Sequence, residues 1–248
     1  MAAAIQLSGV SATYGAAPVV LDVDLDVASG EVVALVGRSG TGKTTILRLA
    51  AGLIPPTSGT VRLLGAAPEV ARRQKRLGLV AQDARLHPWR TVLENVRLPL
   101  EVNKTTRVNG HVTPAQWLER MGVADAATAY PHQLSGGMRQ RVALARALVV
   151  DPDVLLMDEP LASLDELTRE DLRIELLRMW QMTPRSVLYV THDVQEAVLM
   201  ADHVAVLAGR PARLVANVPV TLPRPRSASL RREPAFHDLV ERVRAQLS

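Results

Sequence analysis

The segment Gly37-Arg38-Ser39-Gly40-Thr41-Gly42-Lys43-Thr44-Thr45 decides how the chain folds. It fits the pattern G-x-x-x-x-G-K-[ST], and its flanks fit as well. Upstream, Glu31-Val32-Val33-Ala34-Leu35-Val36 reads as a short buried strand rich in β-branched residues. Downstream, the run from Thr44 reads as a helix that Gly52 stops. Strand, glycine loop and helix together make a phosphate cradle. The glycines let backbone N–H groups converge on an anion with no Cβ in the way, and the helix N-terminus adds unpaired donors and a favourable dipole. Lys43 is placed to reach the β- and γ-phosphates, and the Thr44 hydroxyl to sit on Mg²⁺. Gly37, Arg38, Ser39, Gly40, Thr41, Gly42, Lys43, Thr44 and Thr45 are therefore candidate nucleoside triphosphate ligands, Arg38 and Ser39 being the variable positions of the pattern. A turn that spells the pattern by chance would lack the strand and the helix.

The bulk numbers bound what else the chain can be. With 248 residues, 48% of them hydrophobic, it can pack one large domain or two small ones. Zero cysteines exclude a disulfide scaffold and thiol catalysis. The start, Met1 to Gln6, lacks a charged segment followed by an apolar one, so no secretory leader is expected. No apolar run approaches the ~18–20 residues that cross a bilayer, so the chain is not expected to span a membrane. The net charge is +4 and the pI about 9.9. Lys43, Lys75 and Lys104 are the only lysines, and the arginines are scattered with small clusters at Arg72-Arg73 and Arg231-Arg232. No basic stripe interleaved with aromatics is present, which favours an arginine-biased composition over a nucleic-acid surface.

Around the loop, residues 5–14 suggest a first strand ending at Tyr14. Leu21-Asp22-Val23-Asp24-Leu25-Asp26-Val27 alternates without a break and predicts a half-solvated antiparallel strand. Strands are expected at 60–64 and 77–81, the latter ending at Gln82. From about Asp83 to Gln133 strand patterns vanish, and 91–98 and 114–121 look like short helices. Asn103–Val112 reads as a loop. Leu134-Ser135-Gly136-Gly137 then opens a long helix through Val149, and βα alternation resumes: strands at 154–157, 186–191, 203–207 and 213–218, helices at 166–182 and 194–200. Such alternation implies a mostly parallel sheet with helices on both faces. Residues 219–226 read as a linker. Phe236, Leu239, Val240, Val243 and Leu247 then share one face of a C-terminal helix, a docking stripe.

Two more pieces carry chemistry. Val154-Leu155-Leu156-Met157 is an apolar strand delivering Asp158 and Glu159 at its carboxyl end, where ligands of parallel sheets bind. Asp158 can hold Mg²⁺ through its water shell, and Glu159 is placed to activate a water against the γ-phosphate as general base. Ser135-Gly136-Gly137 is a second glycine loop at a helix start. It reads either as a plain N-cap or as a second phosphate-recognising surface, and its distance in sequence from the first loop suggests a nucleotide held by another subunit.

With these parts in place, the chain resembles the ATP-binding subunits of ABC transporters over essentially its whole length. Leu134-Ser135-Gly136-Gly137-Met138-Arg139-Gln140 matches the family signature LSGGxxQ. The resemblance implies an ABC ATPase fold in the α/β class. That is a P-loop NTPase core with a mostly parallel sheet (1–82 and 134–218) and an antiparallel β subdomain, an inserted α-helical subdomain (83–133), then a linker and C-terminal helix (219–248). It implies two such subunits clamping two ATP molecules head to tail, each between one subunit's phosphate loop and the other's Ser135, Gly136, Gly137 and Gln140. By position, Tyr14 resembles the aromatic that stacks on adenine. Gln82 resembles the glutamine that touches Mg²⁺ and the γ-phosphate while its loop receives the membrane subunit. Asp165 resembles the acid of the loop after the second strand acid, or simply a helix N-cap. His192 resembles the histidine that senses the γ-phosphate. The implied cofactors are ATP and Mg²⁺. The implied partners are a second copy or homologous ATPase subunit, two transmembrane permease subunits and, indirectly, a solute-binding protein, at the cytoplasmic face of the inner membrane.

The run Leu86-His87-Pro88-Trp89-Arg90-Thr91-Val92-Leu93-Glu94-Asn95-Val96 and the tail Leu222-Pro223-Arg224-Pro225-Arg226 resemble the nitrate/sulfonate/taurine importer group. That implies uptake of a small anion, although the 103–112 loop departs from the group's charged helix. A GTPase would want Asn-Lys-x-Asp, and Asn103-Lys104-Thr105-Thr106 lacks the acid. A P-loop kinase would leave the signature run unexplained. An ABC-class ATPase acting on nucleic acid would need a long insertion between Gln82 and Leu134 or two ATP modules in one chain.

Overall fold

The computed structural model describes residues 3–102, 112–162, 164–182 and 185–247. Strands β1 (Ala3–Tyr14), β2 (Ala17–Ala28) and β4 (Ser58–Leu63) form an antiparallel sheet in the order β2-β1-β4. The alternation in β2 falls as expected: Val23, Leu25 and Val27 are buried while Asp22, Asp24 and Asp26 face solvent.

The second sheet has six strands. Its spatial order is β5 (Leu77–Val80), β6 (Val154–Asp158), β7 (Ser186–Val190), β3 (Val32–Gly37), β8 (His203–Ala208) and β9 (Arg213–Pro219). The first five run parallel, and β9 closes the edge antiparallel to β8. Every residue of β3, β6 and β7 is buried, because both faces of the sheet are covered. Val33, Leu35, Leu156 and Leu188 share one core with the antiparallel sheet and α1 (Lys43–Ala50). Ala34, Val36, Leu155 and Tyr189 face the other core, built with α5 (Gly136–Leu148), α6 (Glu166–Met182) and α7 (Val194–Met200). Burying one such aliphatic side chain contributes about 1.5–3 kcal/mol, so the two-faced core fixes these strands in the middle.

Helix α2 (Pro68–Arg73) was not foreseen: six residues are too few to show a period, although Pro68 in the first turn is a start signal. In the helical block, α3 (Val92–Glu101) and α4 (Pro114–Arg120) each begin with a capping box, Thr91 with Glu94 and Thr113 with Gln116. Helix α3 continues through Pro99 to Glu101, three residues beyond its expected end, and Glu101 accepts from Arg90 at 2.8 Å. The loop expected at 103–112 lies, except for Val112, outside the described residues, as does Ser163. Trp117 and Trp180 are 4% and 5% exposed, whereas Trp89, just before α3, is 71% exposed. Among the described residues no helix is long and apolar enough to cross a membrane.

The docking stripe of the C-terminal helix α8 (Pro234–Ala245) is buried at Phe236, Leu239, Val240 and Val243, whereas Leu247 falls beyond the end of the helix and is half-buried. The stretch before it, read as a linker, is packed. Val220 and Leu222 are buried, and the Arg226 side chain is 1% exposed. Its guanidinium donates to the carbonyls of Ala201, Val220 (3.3 Å) and Leu222 (3.4 Å), and lies 3.7 Å from Asp202. Burial, with Arg224 nearby, lowers its pKa to about 10. A buried cation capping several carbonyls leaves them unpaired when it is removed. Arg226→Ala is therefore expected to destabilise the chain by about 3 kcal/mol, read as a lower urea midpoint with an unchanged slope.

Candidate functional site

The strand order β5-β6-β7-β3 brings four loops to one edge, because parallel neighbours end on the same side. Gln82 follows β5, Glu159 follows β6, His192 follows β7 and the phosphate loop follows β3. One cavity there is lined by Val19, Ser39, Gly40, Gly42, Lys43, Thr44, Thr45, Gln82 and Glu159.

The phosphate loop is held by its own polar groups. Thr41 donates from its backbone (3.2 Å) and its hydroxyl (2.7 Å) to the Arg38 carbonyl. Lys43 Nζ donates to the carbonyls of Gly37 (2.9 Å) and Arg38 (3.1 Å). An ammonium has three protons, so one remains to meet an anion. Gly42 has φ 89°, and a Cβ there would press on Val19 and Val20 of β2 at 3.3 Å. The antiparallel sheet thus forms a wall of the cavity. Tyr14 lies at the tip of that sheet, paired with Ala17 and 48% exposed. It does not line the cavity itself.

Thr44 lies in the first turn of α1, and its hydroxyl donates to Asp158 Oδ1 at 3.1 Å across 114 residues of sequence. Burial pushes the Asp158 carboxyl up, against the Thr44 hydrogen bond and the charges of Arg48 and Lys43. Burial likewise lowers the Lys43 ammonium, while Glu159 and Asp158 act to raise it. Arg48, one turn after Thr44, lines a second cavity with Thr44, Gln82, Asp83, Arg85 and Asp158. Its place in this site was missed from the sequence, although its helical spacing from Thr44 could have pointed to it. Glu159 adopts φ 45°, a conformation uncommon outside glycine, and donates its N–H to the Val190 carbonyl at 2.9 Å. The strained backbone aims its carboxylate at His192 Nδ1, 3.1 Å away.

A Mg²⁺ ion fits the donor set. Among the described residues no cluster of three or more His, Cys, Asp or Glu is placed to hold a metal. The Thr44 hydroxyl and Asp158 carboxylate nevertheless stand together beside Gln82 at the cavity wall, hard oxygens of the kind an ion that keeps several waters uses.

The second glycine loop lies apart: none of Ser135, Gly136 and Gly137 lines that cavity. Ser135 caps α5, accepting from Met138 N at 3.2 Å, which is the plain N-cap. Gln140 turns the other way. It is 1% exposed, and its amide donates to the Ala81 carbonyl within the same subunit at 3.4 Å. Asp165 accepts from Thr168 N at 3.0 Å as the cap of α6, which lowers its pKa, and its carboxylate is exposed. Arg169, not singled out from the sequence, donates to the Leu161 and Leu164 carbonyls and so holds the loop between Glu159 and Asp165.

The family model for ABC transporters matches residues 20–162. Aliphatic sulfonates import ATP-binding protein SsuB 1 of Burkholderia lata is 45% identical over 241 residues, 97% of this chain and 70% of that protein. Taurine import ATP-binding protein TauB of Escherichia coli is 38% identical over 244 residues, 96% of this chain and 95% of that protein. Among solved structures, the dimeric post-hydrolysis state of the ATP-binding cassette MJ0796 bound to ADP and Pi superposes with a TM-score of 0.78 at 28% identity. That match covers 88% of this chain and 100% of the other. The chain thus belongs to the ABC transporter family, as one of its ATP-hydrolysing subunits.

Proposed function

We propose that this chain hydrolyses ATP as half of a dimer that powers import of a small anion, of the sulfonate or taurine kind, through transmembrane permease partners at the cytoplasmic face of the membrane. The observation that carries the reading is the division of the site. Gln82, Asp158, Glu159, His192 and the phosphate loop gather at one sheet edge, while Ser135–Gly137 stands outside their cavity. Glycine-loop donors standing apart from the phosphate cradle serve a nucleotide only if another subunit brings it. The names of the sulfonate and taurine import relatives support the solute class and the direction of transport.

In this reading the loop amides and Lys43 hold the β- and γ-phosphates, and the ring of Tyr14 takes the base. Thr44 and Asp158, with Gln82, would hold Mg²⁺, which when bound neutralises charge on the phosphate oxygens. Glu159 takes a proton from the water that attacks the γ-phosphorus as the bond to the β-phosphate oxygen breaks, leaving ADP and phosphate. His192 fixes the carboxylate from the far side. Ser135, Gly136 and Gly137 of the second copy, with Asp165 at the junction, complete the donor shell. Binding of two ATP molecules closes the dimer, and phosphate release reopens it.

Glu159→Gln should bind ATP with unaltered affinity, slow hydrolysis by about 10²–10⁴-fold and trap a dimer on size exclusion with Mg-ATP. Hydrolysis at the wild-type rate would show that Glu159 is not the base. Lys43→Ala should weaken nucleotide binding at least about tenfold in a fluorescence titration, and equal affinity would refute the cradle. For Asp158 the pH sign follows from its raised pKa. Above the ordinary carboxylate value the buried charge costs stability, and below it both folded and unfolded chains are protonated and the cost vanishes. Asp158→Asn should therefore melt about 2 °C higher than wild type without nucleotide at neutral pH, lose that advantage toward about pH 4, and gain no stability from Mg-ATP.

A further inference from the structure

Helix α5 does more than present the second glycine loop at its start. It grips the segment that carries Gln82 at two points. Gln140 Nε2 donates to the Ala81 carbonyl at 3.4 Å. Two turns on, the Arg146 guanidinium forks onto the carbonyls of Ala84 (2.7 Å) and Arg85 (2.9 Å). Gln82 and Asp83 lie between these holds. The backbone at Arg85 is in the left-handed region, φ 44°, a costly conformation for a residue with a Cβ and one that persists only where the surroundings fix it. The helix also sits hard on β5: a Cβ on Gly78 would lie 2.9 Å from the Ala147 carbonyl. From the opposite flank of α5, Arg141 donates to the Met121 carbonyl at the end of α4 at 2.9 Å. Helix α5 therefore holds the signature loop, the end of α4 and the Gln82 segment at once.

We infer that Gln140 and Arg146 are positioning residues that lock the Gln82 segment to the signature helix, so that Gln82 at one ATP and Ser135–Gly137 at the other move as a single piece. This rests on the two-site dimer reading above. It moves Gln140 from the nucleotide shell to the inside of its own subunit, in keeping with its burial. Burial also lowers the Arg146 pKa, as expected of a guanidinium whose partners are neutral carbonyls rather than acids.

The test uses the full-length chain with Arg146→Lys, which keeps the charge but not the two-carbonyl fork, and separately with Gln140→Met, which keeps the shape but not the donor. Hydrogen–deuterium exchange over residues 81–86 should quicken about tenfold in both, with α5 and the phosphate loop as protected as in the parent and ATP affinity unchanged. Unchanged exchange at 81–86, or loss of protection throughout α5, would overturn the lock. In the Glu159→Gln background, each variant should weaken ATP-dependent dimer formation about tenfold. Combined with Gln82→Ala, Arg146→Lys should add nothing further, since coupled residues are not additive. Additive losses, or dimer formation equal to the parent's, would show that the hold does not act through Gln82. If Glu159→Gln itself bound ATP without dimerising, the two-site reading would fall, and the exchange measurement would still decide whether Gln140 and Arg146 fix the segment.

Discussion

Everything in this molecule depends on β3 being buried on both faces. A strand with every residue from Val32 to Gly37 out of water has to lie inside the sheet, between β7 and β8, with a layer packed on either side. Once it is there, the loop that leaves it at Gly37 emerges where β5, β6 and β7 also end. The chemistry is gathered by geometry rather than by sequence proximity. The bond from Thr44 to Asp158 is the clearest case, joining the first turn of α1 to the tip of β6.

That arrangement places charge where water is scarce. Lys43 and Asp158 are 5% and 7% exposed, and burial shifts both pKa values toward the neutral forms. Glu159 and Asp158 offset the cost for Lys43, with the carbonyls of Gly37 and Arg38, and the Thr44 hydroxyl, Arg48 and Lys43 offset it for Asp158. A phosphate anion against Lys43 stabilises the folded chain, so nucleotide binding and folding stability are linked through the same few atoms. Glu159, in its uncommon backbone conformation, adds a second local cost at the same edge.

Much of this was legible in the sequence, for identifiable reasons. The phosphate loop declares itself because its spacing, strand and helix are all local. The β2 alternation is legible because one face meets water, and the α8 stripe because a helix repeats every 3.6 residues. What was not legible depends on partners remote in the chain. Gln140 sits in a motif that resembles a nucleotide contact, yet its side chain points inward, and only the packing of α5 on β5 reveals this. The stretch at 219–226 looks like a spacer by composition, but Arg226 finds its carbonyl partners more than twenty residues upstream as well as close by. Arg169 reads as an ordinary surface charge until the loop it holds is in place. Short helix α2 has no period to show.

The exposure of Trp89 has a practical side. The chain holds three tryptophans, and two of them, Trp117 and Trp180, lie in the core. Trp89 stands in water at the entrance to α3, its ring 5.2 Å from that of His87. An aqueous quencher will reach one indole and spare the others, and whatever covers that corner of the helical block will shift one emission band and leave the rest unmoved. The protein carries its own optical label, unaltered by mutation or dye, at a single spot on its surface.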